Sequence, residues 1–400
     1  MKILMVIERF FPLIGGSETQ CYQLSEKFVS FGGDVSVVTK RWKKELPLFE
    51  KFKEGFSVFR IGIPGSGRIA DYFGGLALFF FLFRFRHSFD LIYVNGGLAN
   101  IFGSTAILAG KLLRKPVGGK VATPGELIFS GPKALAPKEI VHPLIKIRLW
   151  IAKTADFYTA HTPEVVRELQ QLGIKKEKIK EFTNSVDEKL FKPTTSEEKK
   201  KIRQALNLPL NKVIVIFCGR LVKRKGLAYL FEAWRDLEEI EPNSILFIIG
   251  SGENQPDSVE DKLKKFIKKN GIKNIKFLGS KKREEVAKFL KVGDIFVYPS
   301  VHPEGTALSV LEAMSCGMAV VGTDIGGINK MVKSGVNGLL VKKKNHQNLL
   351  KAILFLIKNP QERSRLGKRA REEILEKYTN DKVAKMYFNF FQNLVYKKQQ

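Results

Sequence analysis

Two glutamates, Glu304 and Glu312, stand in the stretch VHPEGTALSVLEAMSCG at residues 301–317. Thr306 is a suitable N-cap and Gly317 a suitable C′ residue, so the pattern predicts a helix of about ten residues between them. Glu312 then lies on a helix face whose other side chains are small. A carboxylate buried there needs hydrogen-bond donors. Two vicinal hydroxyl groups, such as those of a ribose, could supply them.

The start of this predicted helix offers free backbone N–H groups and a partial positive charge, which together suit a diphosphate. The residues at this start are Gly305, Thr306, Ala307 and Leu308. A rise of about 1.5 Å per residue places Glu312 roughly 9 Å along the axis, the span from a phosphate to a ribose. The pattern therefore fits a nucleotide diphospho-sugar with its sugar at Glu304. The alternative is a solvent-exposed Glu312 and an ordinary turn glutamate at Glu304.

A second candidate anion site is the loop in FCGRLVKRKG at residues 217–226. It follows an apolar run that predicts a strand, and it contains Arg220 and Lys225. Doubly wound sheets bind ligands at the carboxyl ends of their strands. Two cations at that place could neutralise a departing diphosphate as its charge develops. An ordinary basic surface run is the alternative.

Two glycine-bearing loops are weaker candidates. PLIGGSETQ places Gly15 and Gly16 between the first apolar run and a helical pattern, and IIGSGE places Gly250 and Gly252 after a later apolar run. Glycine allows the backbone to approach a phosphate or an acceptor closely. Neither loop has the GxGxxG spacing, so neither identifies a site by itself.

Composition restricts the class of protein. A chain of 400 residues predicts two domains. The 68 Lys and Arg residues against 40 Asp and Glu give a formal charge of +28, which favours anionic partners. The three cysteines form no CxxC pair, which is typical of a reducing compartment. The longest apolar run, Leu76–Phe83, is shorter than the ~20 residues that a membrane-spanning helix needs.

Short apolar runs alternate with helical patterns in two series, which predicts two doubly wound α/β domains facing a cleft. The predicted strands of the first series are Lys2–Ile7, Asp34–Thr39, Ser57–Ile61, Leu91–Val94 and Val117–Ala122. Those of the second are Val213–Phe217, Ile245–Ile249, Ile275–Leu278, Ile295–Tyr298 and Ala319–Gly322. Between the series, Leu190–Leu208 has the composition of a linker with a charged helix. We therefore predict an acceptor-side domain at residues 1–190, a donor-binding domain at 205–380, and a helix at about 381–400 that crosses back to the first domain.

Together these stretches resemble glycosyltransferase family 4, whose members have the two-domain GT-B fold. The matching motifs occur in order over about residues 3 to 395, which is nearly the whole chain. They are GGSE, NSVD, GRLVKRKG, GSGE, YPSVHPEGTALSVLEAMSCG, GTDIGG and GVNGLLV. The segment with the paired glutamates and the Arg-to-Lys loop are the most specific of them.

The resemblance implies a retaining, metal-independent sugar transfer from a UDP- or GDP-sugar, with no separate cofactor. By this resemblance Arg220 and Lys225 contact the donor phosphates, Glu304 faces the donor sugar and Glu312 holds the ribose. The backbone at 305–308 matches the phosphate-binding helix start. Gly250 and Gly252 match the donor-side glycine loop, and Gly15 and Gly16 match the first-domain loop that closes on donor and acceptor.

The sequence departs from the family pattern in the first domain. Many relatives carry a histidine where KPVGGKVATPGE has Ala122 or Thr123. We expect Thr123, or the backbone around Gly125, to hold the sugar hydroxyl instead. This departure motivates an alternative function, that of a catalytically silent scaffold that binds a nucleotide sugar. An epimerase or a phosphorylase of the same architecture is a further alternative.

Two apolar segments, Phe73–Phe89 and Ile140–Lys153, contain basic residues. Either could lie in a bilayer interface, although a buried helix is the alternative for each segment. With the charge of +28, they predict peripheral attachment to the anionic inner face of the cytoplasmic membrane. The expected acceptor is a lipid-linked or growing glycan of cell-surface polysaccharide biosynthesis. A nucleic-acid partner is not expected, because the basic residues are dispersed and no aromatic recognition motif accompanies them.

Overall fold

The computed structural model describes residues 1–13, 15–127, 143–253 and 255–399. The chain divides into two compact units. The first unit contains Met1–Asn184 and Asn380–Gln400, and the second contains Ser185–Thr379. Residues 140–142 of the second basic apolar segment lie outside the described residues.

The first unit is built on an eight-stranded sheet in the order β3-β4-β2-β1-β5-β6-β7-β8. Its strands are β1 (Lys2–Ile7), β2 (Asp34–Lys40), β3 (Phe49–Lys51), β4 (Ser57–Ile61), β5 (Leu91–Val94), β6 (Val117–Val121), β7 (Phe157–Ala160) and β8 (Ile179–Glu181). Its first helices are α1 (Gly16–Ser30), α2 (Arg68–Arg84), α3 (Ile101–Leu112), α4 (Pro143–Lys153) and α5 (Pro163–Gln171). All neighbouring strands are parallel except β3 and β4, which are antiparallel.

The second unit has a six-stranded parallel sheet in the order β11-β10-β9-β12-β13-β14. Its strands are β9 (Val213–Cys218), β10 (Ser244–Ile249), β11 (Ile275–Gly279), β12 (Ile295–Tyr298), β13 (Ala319–Thr323) and β14 (Leu339–Val341). Its helices are α6 (Ser196–Ala205), α7 (Leu227–Ile240), α8 (Glu260–Asn270), α9 (Arg283–Val292), α10 (Leu308–Ser315), α11 (Gly326–Met331), α12 (His346–Lys358) and α13 (Pro360–Lys377). The last helix of the chain, α14 (Asn380–Gln399), belongs to the first unit.

Both sheets carry helices on two faces, which explains their short and almost fully apolar strands. In the first unit, one face of the sheet packs in a core with α1 and α14. The other face packs in a separate core with α2, α3, α4 and α5. Every residue of β5 and β7 is buried, as expected for strands covered on both sides.

The strand order reverses once in each sheet, between β1 and β5 in the first and between β9 and β12 in the second. At such a switch point the two following loops leave the sheet in opposite directions and open a crevice. The loops after β9 and β12 are those that carry Arg220, Lys225 and Glu304. The topology of the second unit therefore brings the predicted cation loop and the predicted glutamate loop to one sheet edge.

The composition of Leu190–Leu208 predicted a linker, but the structure does not have one there. It lies inside the second unit, where α6 packs against α9. The Arg203 guanidinium of α6 donates to Asp294 Oδ2 at 2.8 Å and to the Val292 carbonyl at 2.8 Å. Because these bonds anchor α6, its charged residues are part of the unit's structure. The unit begins at Ser185, twenty residues before the predicted start at 205.

Candidate active site

The centre of the candidate site in the second unit is the ion pair of Lys225 and Glu304. The Lys225 Nζ lies 2.8 Å from Glu304 Oε1, and both side chains are buried. The Ser300 hydroxyl lies 2.8 Å from the same carboxylate oxygen. The ammonium also donates to the Tyr298 hydroxyl and lies 4.7 Å from the centre of the Tyr298 ring. The structure thus joins two predicted catalytic residues in one hydrogen-bonded group.

The environment keeps this pair ionised. Burial raises the pKa of Glu304, but the Lys225 ammonium and further contacts lower it by more, so the pKa lies below its ordinary value. Burial lowers the pKa of Lys225, while Glu304 and Tyr298 raise it by more, so its pKa lies above the ordinary value. A buried pair of this kind offers a fixed negative and a fixed positive charge at neutral pH.

Glycines hold the two loops against one another. A Cβ on Gly226, which follows Lys225 in the left-handed region with φ 69°, would lie 2.0 Å from the Pro299 carbonyl oxygen. The motif GTDIGG has a similar function on the other side of the glutamate loop. The Gly327 N–H donates to the Glu304 carbonyl at 2.7 Å, and a Cβ there would lie 2.3 Å from the Gly305 carbonyl oxygen. Only glycine, which has no Cβ, allows these backbone segments to approach so closely.

The helix after the glutamate loop begins later than the sequence predicts. Ala307, not Thr306, is the N-cap of α10, and the first helical residue is Leu308. The Glu304 carbonyl accepts from Gly327 and not from a helical N–H, which keeps the residues before Ala307 in the loop. Measured from the N-cap in both cases, Glu312 therefore lies about 7.5 Å along the axis, not roughly 9 Å. Gly317, with φ 73°, follows the helix as predicted.

Glu312 is a buried carboxylate whose ion-pair partner among the described residues is Arg283. The Arg283 Nε lies 3.7 Å from Glu312 Oε1, which is too long for a hydrogen bond. Burial raises the pKa of Glu312 to about 7, and Arg283 offsets only part of this effect. Arg283 Nε is itself buried, and no residue in the described part of the chain makes a hydrogen bond with it. The predicted ribose-binding glutamate thus has acceptor capacity that its protein neighbours leave unused.

The Gly250–Gly252 loop lies beside the loop after β9. A Cβ on Gly250 would lie 2.0 Å from the Gly219 carbonyl oxygen, and the Leu221 N–H donates to Ser251 at 3.1 Å. Arg220 is exposed, and its guanidinium contacts Gln255 at 3.2 Å. The structure therefore brings Arg220, Gly250 and Gly252 together at the carboxyl edge of β9 and β10.

The remaining predicted residues lie in the first unit. Gly15 is the N-cap of α1, and Gly16 begins that helix. The N–H of Thr123 donates to Glu126 at 3.1 Å, and the N–H of Gly125 donates to Glu168 at 2.7 Å. The Gly125 N–H, one of the backbone groups expected to hold a sugar hydroxyl, is thus engaged within the unit, whereas the role expected of the Thr123 side chain stays a prediction.

Lys120, near the end of β6, was not predicted as a site residue. Its side chain is fully buried, and its Nζ donates to Gln20 Oε1 at 2.7 Å and lies 3.4 Å from Ser17 Oγ in the first turn of α1. Burial lowers the pKa of Lys120 to about 8, although Glu126 raises it. A charged residue inside the apolar run VGGKV was the signal that could have identified it.

Two family models match the chain in succession. The one described as Glycosyltransferase Family 4 matches residues 14–190. The one described as Glycosyl transferases group 1 matches residues 198–373. Together they cover most of both units.

Similar proteins have been described in several organisms. An uncharacterized glycosyltransferase of Methanocaldococcus jannaschii is 32% identical, over 50% of this chain and 49% of its own length, so that match spans about half of each protein. Alpha-monoglucosyldiacylglycerol synthase of Acholeplasma laidlawii is 24% identical over 99% of this chain and 98% of its own. The N,N'-diacetylbacillosaminyl-diphospho-undecaprenol alpha-1,3-N-acetylgalactosaminyltransferase of Campylobacter jejuni is 28% identical over 79% and 81%.

Among solved structures, Anabaena HepE in complex with UDP and glucose has a TM-score of 0.76 and 22% identity, over 98% of this chain and 99% of its own. At this identity the likeness concerns the fold. It identifies the two parallel-sheet units as the Rossmann-like domains of a GT-B architecture.

Proposed function

Since the chain belongs to glycosyltransferase family 4, we propose that it transfers a sugar from a UDP- or GDP-sugar to a glycan or lipid-linked acceptor with retention of configuration. The observation that carries the donor assignment is Glu312, a buried carboxylate without a hydrogen-bond donor at bonding distance among the described residues. Two vicinal hydroxyl groups of a ribose would satisfy it and favour its ionised form. The first turn of α10 would then bind the diphosphate through backbone N–H groups.

The Lys225–Glu304 pair and Arg220 supply the electrostatics of the proposed reaction. When the bond between the sugar and the diphosphate breaks, negative charge develops on the leaving phosphate oxygen. Lys225 and Arg220 stabilise that charge in the transition state. The ionised Glu304 accepts hydrogen bonds from sugar hydroxyl groups and orients the ring. In this proposal no metal ion and no further cofactor takes part.

The names of two relatives support a lipid-linked acceptor. The Campylobacter jejuni enzyme is named for a diphospho-undecaprenol substrate and the Acholeplasma laidlawii enzyme for a diacylglycerol product. By analogy we place this chain in cell-surface polysaccharide biosynthesis, peripherally at the anionic inner face of the cytoplasmic membrane. The charge of +28 supports attraction to such a surface. No helix of the described residues has the length and apolarity to cross a membrane.

A donor panel tests the proposal. UDP-, GDP- and ADP-sugars are added to the whole chain, and thermal stabilisation is measured. A ligand at a hundred times its Kd stabilises by about 2.7 kcal/mol. We expect one UDP- or GDP-sugar to stabilise the chain, and Glu312→Gln to weaken that effect. Glu239→Gln, which changes an exposed glutamate near the end of α7 in the same unit, is the matched control. A flat response to every donor would contradict the proposal.

Activity distinguishes an enzyme from a silent scaffold. With the donor that binds, release of the nucleotide diphosphate is measured with membrane lipid extract as the acceptor source, in EDTA and in its absence. We expect release that EDTA does not reduce, and a loss of at least about 100-fold in Glu304→Gln, the scale of mispositioning a substrate. Donor binding without any release would favour the scaffold, and loss of activity in EDTA would contradict metal independence.

A further inference from the structure

Helix α2 has an unusual outer face. Five large apolar side chains, each between 51% and 70% exposed, follow one another at helical spacing. They are Ile69, Tyr72, Phe73, Leu76 and Phe80. The steps of three, one, three and four residues place all five on one stripe. The opposite side of the helix is buried through Leu78 and Leu82, so the exposed stripe is additional to the face that packs on the sheet.

The neighbouring helices continue this apolar surface. Helix α3 packs against α2, and α4 packs against α3, on the same face of the first sheet. Leu112 of α3 is 58% exposed and Trp150 of α4 is 67% exposed, and both lie among further exposed leucine and isoleucine side chains. Single exposed apolar residues are common, but a patch that extends over three adjacent helices indicates an interaction site.

The charges at this surface have one sign. Basic residues on α2 and α4 include Arg68, Arg84, Lys146 and Lys153, all of them exposed. Asp71 is the one acidic residue in the sequences of α2, α3 and α4. Its carboxylate pairs with the buried Lys40 and so does not neutralise the outer surface. Apolar side chains including a tryptophan, bordered by lysine and arginine, are complementary to an anionic bilayer interface.

We propose that the outer face of α2, α3 and α4, here called the α2–α4 face, docks on an anionic lipid bilayer. Its apolar side chains enter the interface between headgroups and acyl chains, while the basic residues contact lipid phosphates. A second copy of this chain fits less well, because two such faces would bring like charges together. The inference deepens the proposed function, on whose membrane attachment it rests, by naming the surface that attaches.

Vesicle flotation of the whole chain tests the α2–α4 face. The chain is mixed with vesicles of neutral phosphatidylcholine, with or without a third of phosphatidylglycerol, at low and high salt. We compare Phe73→Ser/Leu76→Ser/Phe80→Ser with Leu210→Ser/Ile240→Ser/Leu375→Ser, which removes exposed apolar side chains from the second unit. We expect wild type and the control to float with anionic vesicles, and the α2 variant to bind at least about 10-fold more weakly.

Charge is tested in the same assay. Lys146→Glu/Lys153→Glu on α4 is compared with Lys265→Glu/Lys268→Glu on α8, which changes the net charge equally. If the chain binds vesicles only through its total charge, both variants will float equally weakly. That result would overturn the assignment. Equal flotation of wild type and the α2 variant would also overturn it. So would sedimentation that shows a dimer for the wild type and a monomer for the α2 variant.

Folding and donor binding of each variant are measured separately from flotation. Thermal unfolding and circular dichroism establish that each variant is folded. Donor-induced thermal stabilisation, measured without vesicles, is expected to be unchanged in the α2 variant, because the donor site is assigned to the second unit. Loss of flotation with normal donor stabilisation is the expected result. Normal flotation without any donor response would instead contradict the proposed function and leave the docking face standing.

Discussion

At the residue scale, the buried ion pair of Lys225 and Glu304 is a strongly coupled interaction. Removal of one partner leaves a buried charge uncompensated, which costs about 3–5 kcal/mol. We therefore expect Lys225→Met and Glu304→Gln each to lower the free energy of unfolding. The double variant should be less destabilised than the sum by at least about 2 kcal/mol, because it leaves no unpaired charge. Urea unfolding of the four proteins measures this coupling.

The matched control is an exposed pair in the same unit. Lys201 and Glu197 lie on α6 with 3.8 Å between nitrogen and oxygen, and both side chains are at least 74% exposed. Solvent screens such a pair, so its coupling should stay below about 1 kcal/mol. Equal coupling in both pairs would mean that the Lys225–Glu304 contact has no special stability.

Glu312 predicts a pH dependence of stability. Its pKa is about 7 in the folded chain against an ordinary value of 4.5, so the folded state binds more protons between these pH values. The free energy of unfolding should therefore fall as pH rises from 4.5 to 7, by about 3 kcal/mol from this group. In Glu312→Gln this contribution is absent. Urea unfolding at several pH values measures the difference, and parallel pH curves for the two proteins would refute the assignment.

Motif spacing predicted the candidate residues within each loop, Lys225 after β9 and Glu304 after β12, because local order along the chain is visible in sequence. It did not predict Tyr298, Ser300 or Arg283 as their neighbours. Tyr298 ends β12, Ser300 follows it, and Arg283 begins α9, so their contacts arise from tertiary packing. Lys120 was missed for the same reason, because its partner Gln20 is a hundred residues away.

At the element scale, the sequence predicted ten of the strands, among them the four beside the two switch points and the edge strand β11. The four that it missed are the edge strands β3, β8 and β14 and the strand β7 next to the edge. Three of them are only three residues long; β3 and β8 lack a continuous apolar run, and the run of β14 is too short to indicate a strand by itself. The sequence predicted the start of α10 one residue too early, because Thr306 has a side chain that suits an N-cap. In the structure a tertiary hydrogen bond keeps the residues before Ala307 in the loop. That bond joins Gly327 to the Glu304 carbonyl.

The glycine at the start of α11 is predicted to be structurally essential. In Gly327→Ala the new Cβ meets the Gly305 carbonyl at 2.3 Å, and backbone has to move. We expect a loss of about 1–3 kcal/mol in the free energy of unfolding, together with weaker donor stabilisation. Gly15→Ala is the contrasting change, because its Cβ meets the flexible Glu18 side chain and its φ of −152° suits alanine. Alanine is less favourable than glycine at an N-cap, so this change should cost less than about 1 kcal/mol, and equal effects of the two changes would refute this account.

At the scale of the whole molecule, the chain leaves its first unit once and returns to it. The second unit is continuous from Ser185 to Thr379, whereas the first needs α14 from the end of the chain. Sequence predicted this return from the aromatic residues of the last helix. It did not predict the unit boundary, because the contacts that place α6 in the second unit join residues about ninety positions apart.

A truncation after Thr379 tests how far the first unit depends on α14. The truncation removes Tyr387 and Phe391, which are fully buried, and Phe391 packs 5.7 Å from the ring of Phe28 and 5.1 Å from that of Tyr93. Loss of a buried aromatic side chain costs about 3–5 kcal/mol, so two such losses are comparable with the stability of a whole domain. In calorimetry we expect residues 1–379 to lose the cooperative transition of the first unit and to keep that of the second. Residues 185–379 alone should unfold cooperatively, since their core is closed without α14. Two intact transitions in the truncated chain would show that the helix covers the first sheet without holding it together.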